Sequence, residues 1–399
     1  MKSTRLRAYF WMMLTSMKKA ALFAILLPLN FLIRMEKAPD LRAVKKILII
    51  HGEHSSIGDA VLFSALLAPI RRKFPKAKID LLIRHPAQEV LKYNENVDAI
   101  IPYTEEEGAN LLTQEFAPLK IAGMLRGKNY DMVINSEHAL RFIILSYLTG
   151  ARIRVGLDLA GRGFFLTRKV AYPPYKNRTK LELEYYLDLA RAIGIEQKAN
   201  APDMRISYSS KEKKFAAKFL KENRIGKNAP IIAIHAGGGI WKKRWPLYKF
   251  AKLCDALISG YGAKIIALGG KDDAKLYGQM EKMMKGKICI AAGRTSILET
   301  AALIDKCNLA ICNDSAISHI ASAAGIRVIA LFGVDSPIRW GPFGNIAIMK
   351  HKRLPACNLL CNYDYLYALD ECFDEKNPYC MDLISVEDVM KEVRGKINK

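Results

Sequence analysis

The sequence predicts an α/β protein built from two doubly wound, mostly parallel domains that face a cleft, preceded by a helical extension of membrane-associating character. Three observations carry this. Short Val/Ile/Leu runs alternate with amphipathic stretches, that rhythm stops near residue 157 and restarts near residue 229, and the first 44 residues differ in composition from the rest. Length agrees, because 399 residues exceed the usual size of one domain and a hydrophobic content of 51% supplies a full core. We divide the chain into a basic apolar segment (1–44), an N-terminal domain with its connector (45–205), a C-terminal domain (206–350) and a cysteine-containing excursion with a closing helix (351–399).

The first strand series is "KKILII" (45–50), "KIDLLI" (78–83), "VDAII" (97–101), "YDMVIN" (130–135) and "ARIRVG" (151–156). Near-continuous apolar strands separated by helical segments argue for a parallel sheet covered on both faces. Residues 157–208, with "YPPYKNRTK", a helical "LELEYYLDLARAIG" and the polar "EQKANAPDM", read as a connector. The second series is "APIIAIHAGGG" (229–239), "AKIIALGG" (263–270), "KICIAAG" (287–293), "CNLAICND" (307–314) and "IRVIALFG" (326–333). These strands run into Gly, Asn or Asp, at the carboxyl ends where open α/β sheets bind ligands. "ISVEDVMKEVRGKI" closes the chain as a helix.

A formal charge of +23 calls for an anionic partner: nucleic acid, anionic lipid or a phosphorylated substrate. About a third of that excess lies in residues 1–48, where ten Lys or Arg stand against Glu36 and Asp40. The same segment carries the fourteen-residue apolar run "AALFAILLPLNFLI", interrupted by Pro28 and shorter than the roughly 20 residues of a spanning helix. It reads as an anchor lying on an anionic membrane surface. A tilted single span and a cleaved signal are the rival readings, the latter lacking an A-x-A cleavage pattern in "FLIRMEKAPD".

Four motifs carry chemistry. "HSSIGDAVLF" places one carboxylate, Asp59, where a strand becomes a helix, either as a base at the mouth of the cleft or as a helix cap. "HAGGGIWKKRWP" (235–246) sets three glycines after a strand and then Lys242, Lys243 and Arg244, a phosphate-approaching loop or a turn with a solvated basic flank. "CNDSAISHIASAAG" ends a strand at Asn313-Asp314 and opens a small-residue helix whose first amides, at Ser315, Ala316 and Ile317, suit a diphosphate. The alternative is a simple N-cap at Asp314 or Ser315, with His319 a structural histidine. In "GGKDDAKL", Asp272 or Asp273 stands where an acid accepts from ribose hydroxyls, or merely balances a helix dipole. Cys357, Cys361, Cys372 and Cys380 form C-x3-C-x10-C-x7-C, in which only the first pair has zinc-like spacing, so free thiols and disulfides compete with a metal. Cys254, Cys289, Cys307 and Cys312 read as reduced core residues.

Together these stretches resemble a known family. "SSIGDAVLFSALLAPIRRKFPKAKIDLL", "IHAGGGIWKKRWPLYKFAKL", "ILETAALIDKCNLAICNDSAISHIASAAGIRVIALFG" and the terminal cysteine region are similar, in order and spacing, to glycosyltransferase family 9, the ADP-heptose:lipopolysaccharide heptosyltransferases of GT-B fold. The resemblance runs from about residue 46 to the end. It implies a metal-independent inverting glycosyltransferase that needs no cofactor and takes an ADP-sugar donor. Asp59 would be the catalytic base and Lys243 the cation that neutralises donor phosphate. Ser315 and Ala316 would bind the diphosphate through their amides, with Asp314 and His319 on the donor sugar and phosphates. His235, Gly237, Gly238, Asp272 and Asp273 complete the expected donor side, and Ser56 and Gly58 the acceptor side.

The implied partners are a nucleotide-diphosphate sugar, a lipid-linked glycan acceptor and an anionic membrane surface, with no nucleic acid, at the cytoplasmic face of a bacterial inner membrane. Three departures from the family pattern stand out: "HGEH" lengthens the first turn, Ser64-Ala65 replaces a frequent proline, and Ser315-Ala316 replaces a Ser/Thr-Gly pair. The competing readings are a family 9 transferase with another nucleotide-sugar donor or glycan acceptor, and a non-catalytic nucleotide-binding module at the membrane surface. An NAD-dependent oxidoreductase is disfavoured, because no G-x-G-x-x-G follows the first strand.

Overall fold

The structure, a computed structural model, describes residues 40–52, 56–104, 117–174, 177–196, 202–226, 228–333, 335–350, 380–394 and 396. The expected membrane anchor, the second half of "HGEH", and Cys357, Cys361 and Cys372 lie outside the described residues. Among the described residues, no helix is long and apolar enough to cross a membrane.

The first half opens with β1 (Lys46–His51) and a nearly continuous helical run made of α1 (Ile57–Phe63), a 3-10 turn at Ser64–Leu66 and α2 (Leu67–Lys73). Then come β2 (Lys78–Arg84), β3 (Ala99–Tyr103), β4 (Met132–Asn135), α3 (Leu140–Leu148), β5 (Ile153–Asp158), β6 (Arg168–Ala171) and α4 (Glu182–Arg191). All pairings are parallel, in the order β3-β2-β1-β4-β5-β6. Five of the six residues of β1 are buried, which is why the strand reads as an apolar run: helices cover both faces of the sheet.

The second half repeats the plan with α5 (Ser210–Glu222), β7 (Ile231–His235), α6 (Leu247–Tyr261), β8 (Lys264–Ala267), α7 (Lys271–Glu281), β9 (Cys289–Ile290), α8 (Ile297–Ile304) and β10 (Leu309–Asn313). It continues through α9 (Ala316–Ala323), β11 (Arg327–Phe332), the four-residue α10 (Pro337–Trp340) and β12 (Ile346–Met349) to α11 (Val386–Val393). The order is β12-β11-β10-β7-β8-β9, again parallel throughout. Capping boxes at Ser209/Glu212, Ser296/Glu299 and Ser385/Asp388 start α5, α8 and α11, each satisfying two helix-terminal amides.

Both sheets reverse their strand order beside the first strand, between β1 and β4 and between β7 and β10. Those are the crevices in which doubly wound sheets bind ligands. One hydrophobic cluster runs from Ile47 and Ile49 under α1 and α4 into Ile317, Ile320 and Ala321 of α9, so the two halves share a continuous core where the crevices meet.

The structure corrects the sequence reading in three places. His51 ends β1, so the turn begins at Gly52, where an added Cβ would lie 2.6 Å from the Phe142 ring. Much of the supposed connector belongs to the first domain: β6 extends its sheet, and α4 buries Leu183, Tyr185, Tyr186, Leu187 and Leu189. Finally, β12 adds a sixth strand to the second sheet. Cys254, Cys307 and Cys312 are buried thiols, as expected of core cysteines, while Cys289 is half-buried on the edge strand β9.

Candidate functional site

Asp59 sits in the third position of α1 and is only 3% exposed. Capping that helix falls to Ser56, whose hydroxyl accepts from the Asp59 amide at 3.3 Å, so the Asp59 carboxylate is not a cap. Instead Tyr186 of α4 donates its phenolic hydrogen to Asp59 Oδ1 at 2.7 Å, and His51 Nε2 lies 3.9 Å from Oδ2. The His51 ring is stacked on Phe63, with centroids 4.1 Å apart, and its Nδ1 is 2.8 Å from Ser136 Oγ. Glu137, which accepts from the Gly52 amide at 2.6 Å, closes the pocket from the end of β4. Burial pushes the Asp59 carboxyl up to about 7, the Glu182 charge pushes the same way, and Tyr186 and Arg339 pull it down. A carboxylate poised near neutrality inside a crevice has the protonation behaviour of a general base.

Gly58 brings this pocket against the second domain. A Cβ added there would meet His319 Cδ2 at 2.9 Å and Ala316 Cα at 3.2 Å, so α1 and the N-terminal turn of α9 touch with no room for a side chain. Of the two residues expected on the acceptor side, Ser56 caps the start of α1 and Gly58 lies at the domain contact.

On the facing domain, His235 ends β7 and joins two other expected residues. Its Nε2 is 3.4 Å from Asp273 Oδ2 and its Nδ1 is 2.9 Å from Ser315 Oγ. A carboxylate only accepts, so Nε2 carries the proton towards Asp273 and a neutral ring then accepts the Ser315 hydroxyl at Nδ1. Ser315 is the N-cap residue of α9 without a side-chain cap bond, and the first amides of the helix have no intrahelical acceptor. Replacing Gly by Ala316 at this turn leaves those amides in place.

The glycine-rich loop is braced from three sides. Asn313 Nδ2 donates to the carbonyls of Ala236 and Gly237, both at 2.9 Å, and Arg244 donates twice to Gly238 O, at 3.0 and 2.6 Å. An added Cβ at Gly237 would fall 1.7 Å from Asp273 Oδ1, and Gly238 has φ +141°. The loop is therefore an organised cradle, and its basic flank is not a solvated one. Lys243 Nζ lies 2.8 Å from Asp314 Oδ2 and 2.7 Å from Asp335 Oδ2. Burial alone would lower its pKa, but the two carboxylates raise it, so the ammonium is held charged. Burial also pushes Asp314 up to about 6, against the pull of Lys243, with Asp335 adding to the rise.

His319, 4% exposed, has its pKa depressed to about 4 by burial and then by Lys243, so it is neutral near pH 7. Its Nδ1 has no hydrogen-bond partner among the described residues. Asp273 accepts from the Gly270 amide at 2.8 Å as well as facing His235. Although burial works against it, these contacts hold its carboxyl below the usual range. It is committed to the loop and to the start of α7, whereas Asp272, in the first turn of the same helix, is exposed.

The structure thus brings together Asp59, Gly58, Ala316 and His319 at the domain contact. His235, Gly237, Gly238, Asp273, Asp314, Ser315 and Lys243 gather on the facing crevice. Sequence reasoning missed His51, Glu137, Tyr172, Glu182, Tyr186, Asp335 and Arg339. The signal for Tyr186 and Glu182 was a buried face in "LELEYYLDLARAIG"; for Arg339 it was a lone cation in the helix-starting "SPIRW". Cys380 opens a 3-10 turn, Cys380–Leu383.

The sequence model of glycosyltransferase family 9 (heptosyltransferase) matches residues 119–357, more than half of the chain. The chain is 26% identical over 292 residues to lipopolysaccharide heptosyltransferase 3 of Escherichia coli, covering 72% of this chain and 84% of that protein. Among solved structures, the glycosyl transferase family 9 from Veillonella parvula superposes with TM-score 0.72 at 23% identity, covering 88% of this chain and 97% of that one. The E. coli ADP-heptose lps heptosyltransferase II superposes at 0.66 and 21% identity, covering 88% and 98%. The two parallel sheets are those of the GT-B fold, and the chain belongs to glycosyltransferase family 9 (heptosyltransferase).

Proposed function

We propose that this protein transfers a heptose from an ADP-activated donor to a lipopolysaccharide core-type acceptor, with inversion at the anomeric carbon and without a metal ion or cofactor. The observation that carries this reading is the contact of Gly58, the residue before the buried Asp59, with Ala316 and His319 in the N-terminal half of α9. The donor named for the E. coli relative and the acceptor class named for lipopolysaccharide heptosyltransferase 3 supply the substrate classes.

In this reading the acceptor hydroxyl gives its proton to Asp59 as its oxygen attacks the anomeric carbon. The bond from that carbon to the diphosphate oxygen breaks, and ADP leaves with the electron pair. One displacement inverts the centre. The main electrostatic demand is the charge growing on the leaving diphosphate, which the amides of Ser315 and Ala316, the dipole of α9 and the Lys243 ammonium would meet. General-base assistance of this kind is typically worth about 10² to 10⁴ in rate. Base and phosphate cradle lie on separate domains, so closure assembles them. The basic apolar N-terminus would hold the enzyme at the inner face of the membrane, where a lipid-linked acceptor lies.

Mass spectrometry of the glycolipid from cells lacking the chain tests the substrate assignment. A core shorter by one heptose supports it. An unaltered glycolipid counts against this acceptor class.

A further inference from the structure

The second domain sends a charged side chain into the surroundings of Asp59. Arg339, on α10 and 8% exposed, donates from Nε to Glu182 Oε2 at 2.6 Å and from Nη2 to Tyr172 Oη at 3.4 Å. Tyr172 in turn donates to Glu182 Oε1. Glu182 and Tyr186 stand one turn apart on α4 and share a face, and Tyr186 is the donor to Asp59. Two buried carboxylates whose charges act on each other are tolerated only with compensating cations. Arg178, from the same domain, lies 3.7 Å from Glu182 and 3.9 Å over the Tyr172 ring, whereas Arg339 arrives from the other domain.

We propose that Arg339 is a positioning residue whose docking on Glu182 makes Asp59 competent as a base only while the two domains are closed on each other. This rests on the reading of Asp59 as the base given above.

The balance of charges gives the direction. Burial holds the Asp59 carboxyl high, Glu182 pushes it higher, and Tyr186 and Arg339 oppose them. Withdrawing Arg339 leaves the Glu182 charge less compensated and favours the protonated, inert form of Asp59. The other groups around Asp59, His51 on β1, Glu137 after β4, and Tyr172, Arg178 and Tyr186, belong to the first domain and stay with it. Across the contact, His319 is neutral near pH 7 and the Lys243 charge is committed to Asp314 and Asp335, so neither replaces Arg339. A base that is ready only on closure also avoids activating water beside a bound donor in the open enzyme.

The test uses the purified full chain, Arg339→Met, Arg339→Lys and the double variant Arg339→Met/Glu182→Gln, which removes both members of the buried pair. The Asp59 carboxyl is followed by carbon NMR of aspartate-labelled protein saturated with ADP, which holds the two domains together, and assigned by its loss in Asp59→Asn. The expected midpoint rises by about one pH unit in Arg339→Met, returns close to the parent value in the double variant and stays near it in Arg339→Lys. A midpoint that does not move in Arg339→Met, or that stays raised in the double variant, overturns the proposal. In turnover, the acidic limb of kcat/KM moves with the carboxyl, so Arg339→Met loses about tenfold near pH 6.5 and much less near pH 9. An equal loss at every pH overturns it too. If the parent chain makes no glycosidic product, the transferase reading fails, while the carboxyl titration still decides the coupling.

Discussion

Tyr186 donates its phenolic hydrogen to Asp59 across 2.7 Å, joining two residues 127 positions apart in a fully buried pocket. The bond gives a buried carboxylate one fixed orientation. Burial dominates its ionisation, holding the carboxyl near 7 instead of 3.8.

That shift sets a trade between stability and activity. The folded state binds more protons than the unfolded chain between pH 3.8 and about 7. The contribution of Asp59 is therefore fully present below 3.8 and is lost as pH rises through 7. Asp59→Asn removes the buried charge, so the variant is more stable than the parent at pH 8 by roughly 2–4 kcal/mol, and the gain vanishes near pH 4. Denaturant unfolding at the two pH values measures this. Equal stabilities at pH 8 would show that the carboxylate is not strained.

Gly58→Ala tests the domain contact. The new methyl meets the backbone of Ala316 and the ring of His319, so α1 and α9 must separate. Overpacking of this kind costs about 1–3 kcal/mol. Domain closure should weaken, with transfer falling more than donor binding. Calorimetric titration with ADP beside a transfer assay separates the two effects, and equal losses in both would refute a role in closure.

Lys243→Met leaves Asp314 and Asp335 buried without their cation. Breaking such a pair costs about 3–5 kcal/mol, and the loss should shrink as pH falls, because the Asp314 carboxyl, already raised by burial, takes up a proton more readily once Lys243 no longer pulls it down. ADP affinity is expected to fall at least tenfold, about 1.4 kcal/mol. Unchanged affinity in a folded variant would remove Lys243 from the phosphate site.

Asp272 and Asp273 separate by function. Asp273→Ala frees Gly237 and Gly270 from their brace and is expected to lower both melting temperature and ADP affinity. Asp272→Ala should change stability by less than about 0.5 kcal/mol, because the side chain is exposed. A weaker ADP complex in Asp272→Ala alone would then identify the ribose contact.

The sheets were legible in the sequence where burial on both faces makes a strand continuously apolar, as in β1, β7 and β10. β6 and β12 were not, because each is a four-residue edge strand with incomplete burial. Lys243, Asp314 and Ser315 were readable from strand ends and a helix start, which are local features. Their partners were not. The sequence marked α4 only as a helical stretch of a connector, and that its buried face meets Asp59 depends on α4 returning across the first sheet. Arg339 was hidden for the same reason, since its partner Glu182 lies 157 residues away in the other domain.

The central claim is that Asp59 is the base of a heptosyl transfer. Incubating the purified chain with ADP-heptose and a heptose-deficient lipopolysaccharide core, and weighing the product by mass spectrometry, tests it most directly. The account predicts one added heptose with the parent protein and a rate lower by about 10² to 10⁴ with Asp59→Asn, while ADP binding persists. A parent protein that adds no sugar, or an Asp59→Asn variant that transfers at the parent rate, would contradict it.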